Sequence, residues 1–354
     1  MKKVGGLEGL KAVMISAVAL SLVVGRVQAA VTLPPEDKPL MRHYYKKTNT
    51  CANAEAFVRH QVRLWWDRDP NITASLLKIL YADCLVNGCD ASILLDGPDT
   101  EKTAARMARV GGLGLAAEDG MVLIDKIKTV LEVRCPGAVS CADILNLAAR
   151  DALHLAGAAS YPVFLGRRDG VESKAAWVDL PGPSISVEEG LAYFKSKGLD
   201  ALDYATLLGG GHAVGRTLCR YILDRLYGSR GGPTMTMNPS LLRELRKQCP
   251  QQQQQQERVV LLNQLRMSGG GGSRRLFSNA LYGEVLQHKA VLGADQGLLY
   301  NYNTTQLVLE YAKSLDKFRA QFALSVSRMG GLRVLTGRQG EIRRNCRSPN
   351  TIYY

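Results

Sequence analysis

The chain has 354 residues, 46% hydrophobic and 22% charged, with a formal net charge of +13. That much apolar side chain excludes a disordered polypeptide, and eight cysteines are too few here for a disulfide-dense miniprotein. Any chemistry needing several histidines must draw on only five: His43, His60, His154, His212 and His288.

Residues 1–29 read as a signal peptide. Lys2 and Lys3 give a basic start, Ala12 to Gly25 carries no charge, and Val27-Gln28-Ala29 supplies a small-residue cleavage pattern. The alternative, a membrane anchor, needs ~20 apolar residues. The uncharged run has 14. No later segment is long and apolar enough to span, so an exported, soluble chain with no membrane partner is expected. Loss of Lys2, Lys3, Glu8, Lys11 and Arg26 would lower the charge from +13 to +10.

Outside the cytosol the eight cysteines, Cys51, Cys84, Cys89, Cys135, Cys141, Cys219, Cys249 and Cys346, read as four disulfides. Roughly a hundred connectivities remain open from the residues alone. No CxxC or Cys/His spacing suggests zinc. Asn71-Ile72-Thr73 and Asn303-Thr304-Thr305 are glycosylation acceptors that fit the same compartment.

Past the leader the patterning is mostly helical. Ala74 opens an amphipathic helix that runs into a tight loop at Gly88. Ile124, Ile127 and Leu131 fall at helical spacing, with Asp125, Lys126 and Lys128 between them. Cys141 to Leu155 is rich in Ala and Leu, with polar Asp143, Arg150 and Asp151, and predicts a largely buried helix. His212 is expected to follow a glycine turn and to open a helix. Val308, Tyr311, Leu315, Phe318 and Phe322 step by three and four, which predicts one core helix. Strand-like alternation is weak.

Breakers cluster at Gly111–Gly114, Pro181-Gly182-Pro183, Gly209–Gly211 and Gly231-Gly232-Pro233. The polyglutamine run Gln251–Gln256 and Gly269–Gly272 predict a low-complexity surface loop at about residues 250–273. The gaps between motifs are too short for a domain linker. Residues 30–354 are therefore expected to form a single all-α domain.

Two stretches carry chemistry. In the first, Ala74 to Ser92, Asp83, Asp90 and Ser92 offer side-chain oxygens, and Gly88 permits a turn that could aim carbonyls inward. Ca²⁺ takes about six to eight such oxygens. Cys84 and Cys89 are close enough to clip the loop. The competing reading is a solvated acidic turn, with Asp83 a helix-end residue. The second stretch is Leu207 to Cys219, around His212. A lone histidine is more often structural than a ligand, and no CxxCH haem signature is present.

These stretches resemble the secretory plant-type (class III) haem peroxidases. Matching segments are Tyr44-Tyr45 through Cys51; Ala74 to Asp96; Cys135 to Leu145; Leu165 to Gly170; His212 to Cys219; Ala294-Asp295-Gln296; and Leu335 to Cys346. Together they cover about residues 40 to 350, in order. The resemblance implies an all-α fold in two helical halves enclosing one haem b. It implies the disulfides Cys51–Cys135, Cys84–Cys89, Cys141–Cys346 and Cys219–Cys249. It makes His212 the axial haem ligand and Asp295 the carboxylate that hydrogen-bonds it. It gives Asp83, Val86, Gly88, Asp90 and Ser92 to one Ca²⁺, and Pro181 to the substrate channel.

The departures fall in the catalytic machinery. Where the family has a distal Arg, and a distal His four residues later, this chain has Lys78 and Ala82. Peroxide cleavage needs a base to move a proton from one oxygen to the other, and a positive donor for the leaving oxygen. Ala82 can do neither proton step, and Lys78 lacks the planar donor pair of an arginine. The family's further His two residues before the distal base is Leu80, and no histidine lies between positions 61 and 153. A second Ca²⁺ site looks lost: Ala213 replaces a Thr, and Asn263 and Ser278 stand where carboxylates belong.

Two functions follow as expectations. One is a secreted, cell-wall peroxidase that removes H₂O₂ by oxidising small phenolic donors, in the response to oxidative stress, with impaired activity. The other is a non-catalytic protein of the same fold that binds haem or cell-wall polymers, its charge favouring anionic polysaccharide. Nucleic acid is not an expected partner, and a monomer is expected.

Overall fold

The computed structural model describes residues 40–107, 117–228, 237–251, 258–262 and 276–350. The leader, Gly111–Gly114, Gly231–Pro233, Gln252–Gln256, Asn263 and Gly269–Gly272 lie outside the described residues. Strand β1 (Met41–Arg42) leads into helices α1 (Tyr44–Lys47), α2 (Ala54–Trp66), α3 (Ile72–Val86), α4 (Glu101–Met107), α5 (Glu118–Arg134) and α6 (Cys141–Leu155). After β2 (Phe164–Leu165) come α7 (Val187–Ser196), α8 (Ala201–Ala213), β3 (Arg216–Leu218), α9 (Leu223–Tyr227) and α10 (Pro239–Gln248). Strand β4 (Val259–Leu261), α11 (Ala280–Leu286), α12 (Gly293–Gly297), α13 (Tyr302–Lys313) and α14 (Leu315–Met329) complete the order. The strands form two short antiparallel ladders, β1 with β2 and β3 with β4. The predominantly helical expectation holds.

Two helical groups share the core. α2, α3 and α5 pack on α6, and α11, α13 and α14 pack on α8. The first group buries aliphatic side chains such as Val58, Leu76, Leu80, Ile127 and Leu145. The second buries rings: Phe277 stacks on Phe318 at 5.0 Å, and Tyr282 meets Tyr311 at 5.1 Å and Phe318 at 5.1 Å. Four disulfides join Cys51 to Cys135, Cys84 to Cys89, Cys141 to Cys346 and Cys219 to Cys249. The third reaches across 205 residues and ties the C-terminal segment to the start of α6.

The start of α6 is a charged junction. Ser140 caps the helix by accepting from the Asp143 backbone N–H at 3.1 Å. Fully buried Asp169 accepts from the N–H groups of Cys141, Ala142 and Arg343. A carboxylate there meets the positive end of the helix dipole as well as orphan donors. Arg343 in turn donates to Ala91 O at 2.6 Å, so the same junction reaches the loop after α3.

Three local expectations are corrected. α3 is not amphipathic: of residues 72–86, only Ala74, Lys78 and Tyr81 escape full burial. It lies against α5 and α6 and also touches α8 and α14, so it buries nearly its whole circumference. Gly209–Gly211 is not a turn; all three are helical, and His212 closes α8 instead of opening a helix. The 308–322 stripe is two helices rather than one. Ser314 takes an extended backbone, and its hydroxyl caps α14 by accepting from Lys317 N–H. The stripe nevertheless keeps one facing, since Val308, Tyr311, Phe318 and Phe322 are all fully buried.

Candidate functional site

α8 brings His212 to the site, and its glycines determine how closely the helix packs. A Cβ on Gly209 would stand 2.0 Å from the Tyr282 hydroxyl, and one on Gly210 2.0 Å from the Phe322 ring. Only glycine lets α8 lie this near α11 and α14. The His212 ring, at 23% side-chain exposure, donates from Nδ1 to Asp295 Oδ1 at 2.7 Å. Asp295 sits in the first turn of α12 and is fully buried. With Nδ1 committed, Nε2 is the ring nitrogen left to bind a metal, and a carboxylate on the first nitrogen fixes the tautomer and raises ligand basicity. This donor set fits an axial haem ligand.

The Pro181–Pro183 segment lies against the same short helix. Ala294 N–H donates to Pro183 O at 2.9 Å, one residue from Asp295. Pro181 itself is half-buried.

α3 contributes the other side of the proposed site. Ala82 is buried, and Leu80 is 1% exposed. Lys78 is half-buried one turn earlier. Burial, then the Arg216 and Arg220 guanidinium groups, pulls its ammonium down to about 8. Tyr81 is half-buried; burial first, then Tyr204 and Asp179, pushes its hydroxyl up. No imidazole stands on this helix.

The loop after α3 is built around buried acids. Asp83 Oδ2 accepts from Ala91 N–H at 3.0 Å, Asp90 Oδ1 from Ser92 N–H at 3.0 Å, and the Ser92 hydroxyl donates to Glu101 at 3.1 Å. Gly88 has φ +123°, and a Cβ there would meet Arg333 O at 2.6 Å, so both conformation and space require glycine. Glu101 is a member of this cluster that sequence reasoning misses. It lies 9 residues beyond Ser92 in the sequence, and its buried first-turn position on α4 gives no motif signal.

Burial raises Asp83 and Asp90, and the negative charge of Asp90 adds to the rise at Asp83. Glu101 is pushed up to about 8 by burial and then by Asp90. A bound divalent cation would relieve that accumulation. Among the described residues, no three Asp, Glu, His or Cys side chains converge as a ready-made metal cage. A cation here would have to draw on the Ser92 hydroxyl and the Val86 and Gly88 carbonyls as well as the carboxylates. Lys197 Nζ already donates to Val86 O at 3.3 Å, which leaves that carbonyl one lone pair for a metal.

At the second Ca²⁺ position of the resemblance, Ala213 is buried and Ser278 half-buried, and Asn263 is outside the described residues. Of the two glycosylation acceptors, Asn303 is exposed in the first turn of α13. Asn71 is half-buried, and its amide is engaged with Asp69 at 2.6 Å.

The peroxidase family model matches residues 58–314. "Probable peroxidase 26" of Arabidopsis thaliana is 50% identical over 346 residues, covering 96% of this chain and 100% of the relative. "Probable peroxidase 61" of the same plant is 52% identical over 326 residues, 92% of each chain. A peroxidase of Armoracia rusticana is 39% identical over 316 residues, 86% of this chain and 90% of the relative. No helix among the described residues is long and apolar enough to cross a membrane. A helical fold with four disulfides, an Asp-fixed histidine and matches along almost the whole length place this chain in the plant class III haem peroxidase family.

Proposed function

We propose that this protein is a secreted class III peroxidase that holds haem through His212 and whose H₂O₂ chemistry is impaired. Haem, when bound, supplies the redox chemistry of peroxide reduction and donor oxidation. The chain's own residues orient it: Asp295 fixes the His212 ring, and α8 and α12 hold that pair rigidly. The observation that carries the reading is a contrast in chemistry between two buried positions. The proximal pair is intact at 2.7 Å, with a fully buried carboxylate, while the distal position on α3 is the methyl group of Ala82.

No side chain at Ala82 can take or return a proton. Lys78, pulled to about 8, is mostly charged at neutral pH and serves better as a point cation than as a base. Losing general acid–base catalysis removes about 10²- to 10⁴-fold in rate. Pro181 would border the route of small phenolic donors, and one Ca²⁺ would sit among Asp83, Val86, Gly88, Asp90 and Ser92. The second Ca²⁺ is absent in this reading, and Asn303 is the glycosylation acceptor better presented for modification.

The test uses the mature chain refolded with haem and Ca²⁺. The reading predicts a Soret band that His212→Ala abolishes, with phenol oxidation at least about 10²-fold below an intact family member. An unchanged Soret band in His212→Ala overturns the axial assignment. Turnover at the level of an intact member overturns the impairment.

The charge favours a second reading, that of a haem- or wall-polymer-binding protein without turnover. A mature charge of +10 on an exported chain attracts anionic polysaccharide. Retention on polygalacturonate should then fall steeply between roughly 0.05 and 0.5 M NaCl, as the Debye length shrinks. Retention that ignores salt would contradict it.

A further inference from the structure

The charge left after the expected loss of the leader, +10, is not spread evenly. From Arg42 to Arg68, 27 residues hold six Lys or Arg against two acids, Glu55 and Asp67, a net of +4. All six cations are exposed. α2 buries Ala54, Val58, Val62 and Trp66, so helical periodicity leaves Arg59 and Arg63 on its solvent side.

Three contacts join that side of α2 to its neighbours. His43, at the start of α1, meets Glu55 in the first turn of α2 at 3.0 Å. The Cys51–Cys135 bridge ties the segment before α2 to the residue after α5. The Arg134 guanidinium, exposed in the last turn of α5, lies over the Phe57 ring at 4.9 Å.

The acids of this surface are already engaged, and its cations are in surplus. Glu55 faces His43, and Glu132 holds Lys128 at 2.5 Å. Asp67 meets Arg63 at 3.2 Å, an exposed helical pair of the kind that contributes little. Arg59 stands 3.6 Å from Asp151, which Arg150 holds closer, at 2.6 Å. Among the described residues, no carboxylate pairs with Arg42, Lys46, Lys47, Arg68 or Arg134.

A cationic face without matching acids attracts a polyanion. Single-stranded nucleic acid also stacks its bases on aromatic rings. No ring from Tyr44 to Trp66 is exposed. A bilayer surface takes up an apolar helix face. Leu64 and Val133 are isolated exposed apolar side chains here, too few to make one. A carboxylated polymer needs neither ring nor apolar face, only spaced cations.

We propose that the outer face of α1 and α2, with Arg134 at the end of α5, is a docking surface for acidic polysaccharide. Lys46, Lys47, Arg59, Arg63 and Arg134 meet the carboxylates of successive uronate units. The proposal rests on the polymer-binding reading above and gives it a place on the molecule. It requires neither haem nor turnover.

The test measures binding of the mature chain to polygalacturonate, with two variants of equal net charge. One carries Lys46→Gln, Lys47→Gln, Arg59→Gln and Arg63→Gln. The other carries Lys195→Gln, Arg243→Gln, Lys247→Gln and Lys313→Gln, four exposed cations on other helices. The first should bind about tenfold or more weakly than the parent, with a shallower salt dependence, and the second within about threefold of it. Equal losses in both would make net charge the cause and overturn the proposal.

A second measurement needs no variant. Polygalacturonate should protect Lys46 and Lys47 of the parent from acetylation and leave Lys195 and Lys313 reactive; the reverse pattern overturns the proposal. Tighter binding of the parent to polyuridylate or to phosphatidylserine vesicles overturns the choice of partner. A parent that does not bind polygalacturonate at all sinks the polymer-binding reading itself, so the two failures are distinguishable.

Discussion

At the scale of single residues, Lys78 is the most exposed to test. In the proposed reading it stands at the position of the family's arginine; it is half-buried and faces the charges of Arg216 and Arg220. Its native value of about 8 lies below its usual 10.5. The unfolded chain therefore binds more protons between those two values, and stability rises with pH across that window. Below about 8 the penalty is present in full. Lys78→Met should therefore stabilise the haem-free chain at pH 7, and the gain should fade toward pH 10.5. The gain is about 1–3 kcal/mol, discounted because part of the charge stays solvated. Thermal unfolding of both proteins at several pH values measures it, and an unchanged or lower melting point at pH 7 would refute it. His212 and Asp295 illustrate what spacing alone misses. They meet across 83 residues, and only the family resemblance pairs them in advance.

At the scale of elements, the glycine run in α8 misleads because helix-breaking propensity says nothing about packing. Glycine costs about 1 kcal/mol in a helix interior, and tertiary contacts routinely override that. Here Phe322 and Tyr282 occupy the space that a side chain would need. Gly210→Ala should destabilise by about 1–3 kcal/mol, since overpacking outweighs the propensity gain. Gly211→Ala meets nothing within 4 Å and should be neutral or stabilising. Denaturant midpoints for the two variants separate these outcomes; a stabilised Gly210→Ala would show that α8 can shift away from α14. The break at Ser314 is hidden for a different reason. Helical spacing survives it, because α13 and α14 present the same face to one core, and a serine cap leaves no gap in the apolar stripe. By contrast, the helix at Cys141–Leu155 matches its sequence reading at both ends, because a serine cap and a dense Ala/Leu run agree.

At the scale of the whole molecule, the helical architecture is legible because weak alternation and repeated helical spacing point one way, and the four disulfides because an even set of eight cysteines behind an expected leader reads as staples. Glu101 is not legible: nothing in its local sequence shows that α4 folds back to bring a third acid to Ser92. The molecule holds four disulfides, a histidine fixed by a buried carboxylate and an acid-rich loop, and the two positions to which the proposed impairment is traced, Lys78 and Ala82, lie on one helix. That separation makes the central claim testable by restoring those two positions in an otherwise untouched scaffold. The decisive measurement is the rate of H₂O₂-driven phenol oxidation by the Ala82→His/Lys78→Arg double variant against the parent, both haem-loaded. The account predicts a gain of about 10² to 10⁴. A double variant that binds haem as the parent does but gains nothing would contradict it, as would a parent already as fast as an intact peroxidase.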